Sequence, residues 1–208
     1  MALEITRNAQ LIVRMPRFAS IAEVKKFIWE KRGWIEQKIA EVSVRVNSRS
    51  PKKFIAGEEF YYLGEKHPLE ITKEQNTKLK FNYKFYLPEK ARYKAKSLFI
   101  NWYKKQAKLN IPKRVRWYAN LHKLKFASIK ISSAERRFGS CTSRGNLNFT
   151  WRLILLPLRI VDYVVVHELA HLVHHNHSQR FWSQVEKMLP DYKERRKWLK
   201  KNGEKYAL

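Results

Sequence analysis

Only one of the 208 residues is a cysteine, Cys141, so no disulfide can form within the chain. Glycine (6) and proline (7) are scarce, and no internal repeat or low-complexity segment appears. Long apolar runs are missing too. Leu153 to Leu158 and Tyr163 to Val166 fall far short of the roughly 20 residues that span a bilayer. The opening MALEITRNAQLIVRMP has no basic stretch followed by an apolar one, so no export signal is read, and the cytoplasm is the expected location. Acid is the last scarcity: 18 Asp and Glu stand against 44 Lys and Arg, a formal charge of +26. Such an excess opposes compaction and attracts polyanions. What is present is enough to fold. Hydrophobic residues make up 44% and aromatics 13%, which excludes a disordered chain and supports a packed core.

The pattern of elements predicts an α+β fold, with a mixed or antiparallel sheet packed on an apolar helix and more helices at the C-terminus. Leu11 to Met15 reads as a strand stopped by Pro16. Ser20 is placed to cap a helix running to about Ala40, with Gly33 inside it. Phe60 to Leu63 and Lys78 to Leu87 read as strands, with Gly64 and Pro68 as turns. Pro88 separates an N-terminal strand-and-helix lobe, 1–88, from a catalytic region, 89–208, or marks a lobe boundary within one domain. Glu89 to about Asn110 is helical and is stopped by Pro112. Phe126 to Ser132 and Gly145 to Thr150 read as strands around a Gly-Ser-Cys turn at Gly139. An apolar helix follows with Asp162 as its expected N-cap, then a helix capped by Ser178. A last helix is expected to open on a capping box of Asp191 and Glu194 and to stop at Gly203.

The informative segment lies inside that apolar helix and contains His167-Glu168-x-x-His171. Residues four apart share a helix face, so both imidazoles can reach one zinc ion. Glu168, one residue round, can reach a water on the metal without occupying a coordination site. A catalytic zinc takes a third protein ligand, and His174, His175 and His177 compete for the place. A continuous helix would carry His174 about 10 Å along the axis from His167, so the chain must leave the helix first. Asn176 is suited to a left-handed exit, after which His177 can fold back. That offset equals the ligand spacing of metzincins, with His174 where those have glycine. Glu186 on the next helix is the alternative third ligand. The expected site is therefore one Zn2+ held by His167, His171 and His177, with Glu168 as the catalytic base that passes a proton to the leaving amine. Tyr163, one turn before His167, touches the site or simply packs. Cys141 is a metal-proximal thiol or, more simply, a small buried residue. The strand Gly145 to Thr150 is a candidate edge for an extended substrate or ordinary sheet core. His67 and His122 stand outside any constellation.

Arg137-Phe-Gly-Ser-Cys141, Gly145-Asn-Leu-Asn-Phe-Thr-Trp-Arg-Leu153, Pro157, the segment Asp162 to His171, Asn176-His-Ser-x-x-Phe-Trp182 and Pro190 to Leu199 together resemble the YgjP-like metal-dependent hydrolases. These are related to the SprT and WLM-type metallopeptidases. The resemblance covers most of the chain and is most specific from Arg137 to Leu199; Phe138 stands where the family usually has tryptophan. It implies a zincin-like fold, zinc and the three-histidine site.

Charge is unevenly spread. Between Glu89 and Glu135 there is no acidic residue, while Lys and Arg number 13. Tyr93, Phe99, Trp102, Tyr103, Trp117, Tyr118 and Phe126 are interleaved, a mixture suited to single-stranded nucleic acid over 90–134. The plainer reading buries the aromatics and solvates the lysines. The leading function is a zinc metallopeptidase acting on protein or peptide substrates, including proteins associated with nucleic acid. One alternative is a zinc hydrolase of nucleotide phosphate anhydrides. The other is a non-catalytic basic nucleic-acid-binding protein with a structural metal. No membrane partner is expected.

Overall fold

The computed structural model describes residues 1–6, 10–16, 18–47, 52–206 and 208. The chain divides into two compact units, Met1–Pro51 and Lys52–Leu208. In the first, β1 (Ala2–Ile5) and β2 (Leu11–Arg14) form an antiparallel hairpin. Helices α1 (Ile21–Glu30) and α2 (Arg32–Asn47) follow. Ser20 caps α1 as expected: its Oγ accepts from Glu23 N at 3.2 Å while Glu23 Oε2 accepts from Ser20 N at 2.8 Å. The single helix expected to Ala40 is broken at Lys31, which caps α1 with its own N–H.

The second unit carries two sheets. In the four-stranded sheet the order is β3 (Glu59–Tyr62), β4 (Glu65–Thr72), β6 (Lys84–Pro88), β5 (Lys80–Asn82). β4 and β6 are parallel and the outer pairs antiparallel. Pro68 is not a turn. It lies in β4 just before pairing with β6 begins at Leu69, where its missing N–H leaves no bond to β6 unmade. The run Lys78 to Leu87 is folded back on itself at Tyr83, whose φ is 56°. After Pro88 a 3-10 stretch, Glu89–Lys94, leads into α3 (Ala95–Leu121).

Pro88 sits inside this unit because the strands before it and the helix after it share one aromatic core. Phe60 stacks on Phe99 at 4.2 Å between ring centres, Phe85 lies 4.9 Å from Phe99, and Tyr103 donates to Tyr61 O at 2.7 Å. Pro112 does not stop α3. Ala107, Ile111, Val115 and Tyr118 stay buried on both sides of it. Burying several such side chains at about 2 kcal/mol each outweighs the roughly 3 kcal/mol that an interior proline costs.

The second sheet has the order β7 (Ser128–Ser132), β9 (Asn146–Thr150), β8 (Gly139–Cys141). The expected Gly-Ser-Cys turn is thus a strand, antiparallel to β9. A buried 3-10 turn, Trp151–Leu155, leads into α4 (Leu158–Ala170). Leu63 N and Gly64 N donate to Ile154 O and Leu155 O, joining the β3–β4 turn to this segment. Only glycine fits at 64, since φ is 90° and a Cβ would lie 2.7 Å from Pro157. Helices α5 (Gln179–Met188) and α6 (Tyr192–Asn202) complete the unit. Among the described residues no helix is long and apolar enough to cross a membrane.

Candidate metal centre

Helix α4 is buried nearly all round: Ile160 to Val166 and Glu168 to Ala170 are buried, which is why its apolar run shows little helical periodicity. Asp162 is not its N-cap. Pro157 occupies that position, and Asp162 sits in the second turn, 7% exposed. Its oxygens accept from Arg114 Nε at 2.6 Å and Nη2 at 2.8 Å, a two-pronged pair with α3. Ser178 precedes α5, and Asp191 precedes α6, without a capping bond from either side chain; Asp191 accepts from Arg195 instead.

The last turn of α4 presents His167 and Glu168, and His171 stands at its C-cap. The helix ends at Ala170, earlier than a left-handed Asn176 would place it. Among the described residues the positive-φ positions do not include Asn176. A tight turn closes instead through Val173 N and His174 N, both donating to Ala170 O. The segment then returns and brings His177 to the other two. Nitrogens of His167, His171 and His177 all lie within 4.8 Å of one another, and the Nε2 atoms of His167 and His177 are 3.0 Å apart. His174 and His175 are outside this cluster. So is Glu186, whose Oε1 accepts from Lys193 at 3.0 Å.

The donor set fits a zinc ion. Two nitrogens bound to a tetrahedral zinc at about 2.1 Å lie about 3.4 Å apart, close to the 3.0 Å between the Nε2 atoms of His167 and His177 and inside the 4.8 Å that encloses all three. His171 Nδ1 is 3.1 Å from His174 O, the carbonyl contact that leaves Nε2 free to ligate. His167 Nδ1 departs from that pattern: it is buried without a hydrogen-bond partner. Phe181, fully buried on α5, packs on all three imidazoles with ring centres 5.0, 4.5 and 4.8 Å away. Burial, then the neighbouring His171, His177 and Arg196, hold His167 down to about 3, and burial foremost holds His171 below the usual histidine range. Both imidazoles are therefore neutral and have lone pairs to offer a cation.

Glu168 is 6% exposed. Burial pushes its carboxyl up to about 7, with the Arg137 charge opposing the shift. A Cβ built on Gly139 would lie 2.5 Å from Glu168 Oε1, so β8 passes the carboxylate at a distance only glycine allows. The sequence offered Gly139 as a turn residue; its position two after Arg137 in a family motif was the signal for a site role. Cys141, further along β8, is half-buried, and burial followed by the Glu168 charge raises its thiol. Tyr163 is 5% exposed, its ring 6.0 Å from His167, and burial foremost raises its hydroxyl to about 12. His67 and His122 lie outside the cluster.

The model of the YgjP-like metallopeptidase domain matches residues 1–202. The chain belongs to the YgjP-like metallopeptidase family. Metal-dependent peptide hydrolysis is the chemistry of that family, and the mixed α+β architecture is consistent with it. Among solved structures, the crystal structure of the metallopeptidase zymogen of Pyrococcus abyssi abylysin is similar at 22% identity and a TM-score of 0.39, over 43% of this chain and 93% of that one. No curated protein matches. For a YgjP-like chain, the residues that carry the family's motifs, Arg137 to Cys141 and His167 to His171, meet at one place, where Gly139 abuts Glu168.

Proposed function

We propose that this chain is a zinc-dependent peptidase of zincin type, with His167, His171 and His177 as metal ligands and Glu168 as the general base. The observation that carries the reading is the convergence of three imidazoles beside a buried carboxylate, on the helix and return turn of a metallopeptidase-family chain. When bound, the zinc supplies Lewis acidity that lowers the pKa of a water and polarises the scissile carbonyl. Glu168 accepts the proton of the attacking water and delivers it to the leaving amine. Its dry surroundings, Gly139 on one side and the packed body of α4 on the other, hold the carboxylate where it can trade a proton near neutral pH.

The substrate strand belongs on β8 rather than on β9. β9 is paired on both sides, with β7 and β8, and has no free backbone groups to offer. β8 has one strand neighbour among the described residues and passes Glu168 directly. Cleavage of an unfolded protein such as casein by zinc-loaded full-length chain, abolished by chelation and by Glu168→Gln, is the expected result. Equal cleavage by Glu168→Gln at equal metal content would remove Glu168 from its role.

An association with nucleic acid rests on α3. Phe99, Tyr103 and Tyr118 are buried and Trp102 packs on Phe85, so most of the interleaved aromatics fill the core. Tyr93 and Trp117 remain exposed. Lys105, Lys108, Lys113 and Arg116 are exposed without an ion pair among the described residues, which suits phosphate contact more than base stacking. Binding of oligonucleotide that weakens steeply with salt supports this role, and no binding at low salt ends it.

A further inference from the structure

Two arginines near the centre, Arg137 and Arg196, have no ion pair among the described residues. Arg137 is exposed two residues before β8, which opens on the glycine that abuts Glu168. It lines a cleft of about 270 Å³ with Gly139, Ser140 and Asn148, and its charge reaches Glu168. Arg196 comes from α6. Its guanidinium sits 4.3 Å from the centre of the Trp182 ring. Trp182 stacks in turn on Tyr192 at 5.5 Å and on His177 at 5.7 Å. The charge of Arg196 reaches both Tyr163 and His167.

Among the described residues neither arginine has an ion pair, although acids stand close in sequence. Glu135 is taken by Arg152 and Asp191 by Arg195. Arg196 cannot be there to hold the metal, because its charge works against a cation on His167. The Tyr192–Trp182 stack nevertheless orders its guanidinium, which lowers the entropy lost when the planar fork grips an anion. Arginine forks match carboxylates with two parallel bonds. Arg137 thus stands just ahead of β8, whose glycine abuts Glu168, and Arg196 stands behind the Trp182 ring that stacks on His177.

We propose that Arg137 and Arg196 are substrate-binding residues that grip carboxylates of the peptide flanking the scissile bond, so that the site selects acidic segments. The inference rests on the peptidase reading above and deepens it.

The test uses the zinc-loaded full-length protein and two fluorogenic peptides, one with Glu on both sides of the cleaved bond and one with Gln in the same places. Wild type is expected to favour the Glu peptide in kcat/KM. Arg137→Gln and Arg196→Gln should each cut the Glu-to-Gln ratio by about fivefold or more, mainly through KM, as fits a lost charge-assisted hydrogen bond. Arg196→Lys should restore part of the ratio, and Arg196→Glu should invert it. Lys73→Gln/Lys78→Gln, which removes charge from the loop between β4 and β5, should leave it unchanged. A ratio that stays constant in the arginine variants, or falls as far in the lysine control, overturns the proposal. If wild type cleaves neither peptide, the peptidase reading has failed, and the arginines are judged by binding. A rhodamine-labelled Glu peptide should then bind Glu168→Gln protein tightly, and weakly once Arg137 and Arg196 are also Gln. Equal binding by the two proteins, or displacement by single-stranded oligonucleotide at lower concentration than by unlabelled Glu peptide, rejects a carboxylate site.

Discussion

The two ends of α4 bury acidic groups on very different terms. Near its start, Asp162 gives both oxygens to Arg114 at 2.6 and 2.8 Å, and the charge is paired where it is made. At its end, Glu168 is as deeply buried, yet its side chain faces the α-carbon of Gly139 and only the more distant Arg137 charge. His167 there has one nitrogen without a partner and the other against a second imidazole. The paired acid and the poorly partnered one thus lie within the thirteen residues of one helix. A buried charge with its partner in place holds elements together, whereas one left poorly partnered costs stability and is kept ready for something the protein binds.

Removing the same charge at each end should break the symmetry most sharply. Glu168→Gln is expected to lower turnover by about 10²–10⁴-fold, the usual contribution of a general base, with zinc content unchanged. Its metal-free form should be at least as stable as wild type in urea. Asp162→Asn should do the opposite: it costs about 3 kcal/mol in urea unfolding by leaving Arg114 half-paired, while turnover per folded molecule stays near wild type. If Asp162→Asn proved the more damaging to turnover, the division of labour along α4 would be wrong. Metal binding sharpens the same contrast. Zinc at about 1,000 times its Kd should stabilise the protein by about 4 kcal/mol, read from the shift of its unfolding midpoint against chelated protein, and His177→Ala should abolish most of that shift. The smallest effect belongs to Glu186→Gln, which should leave zinc stoichiometry unchanged because Glu186 pairs with Lys193 away from the cluster.

Much of the centre was legible because it is written in local spacing. His167 and His171 share a face in any helix, and His177 follows within a turn's reach. The Ser20–Glu23 box is equally local. What failed to show were choices made by distant partners. An acid before an apolar run reads as a helix cap, and Asp162 became a buried ion-pair member because Arg114, 48 residues earlier, packs across from it. Pro112 reads as a stop, yet α3 continues because its buried face is worth more than one backbone bond. Gly139 reads as a turn until Glu168 is seen against it.

By itself, then, the sequence determined the α+β class, the metal-binding motif and the basic excess, since each is a matter of composition or of spacing within a few residues. Only the tertiary structure decided that β8, not β9, has one strand neighbour among the described residues and passes Glu168, that α3 turns most of its aromatics inward, and that Arg196 is stacked on the Trp182 ring beside His177. Those outcomes depend on which surfaces, far apart in the chain, exclude water from one another, and no local pattern carries that information.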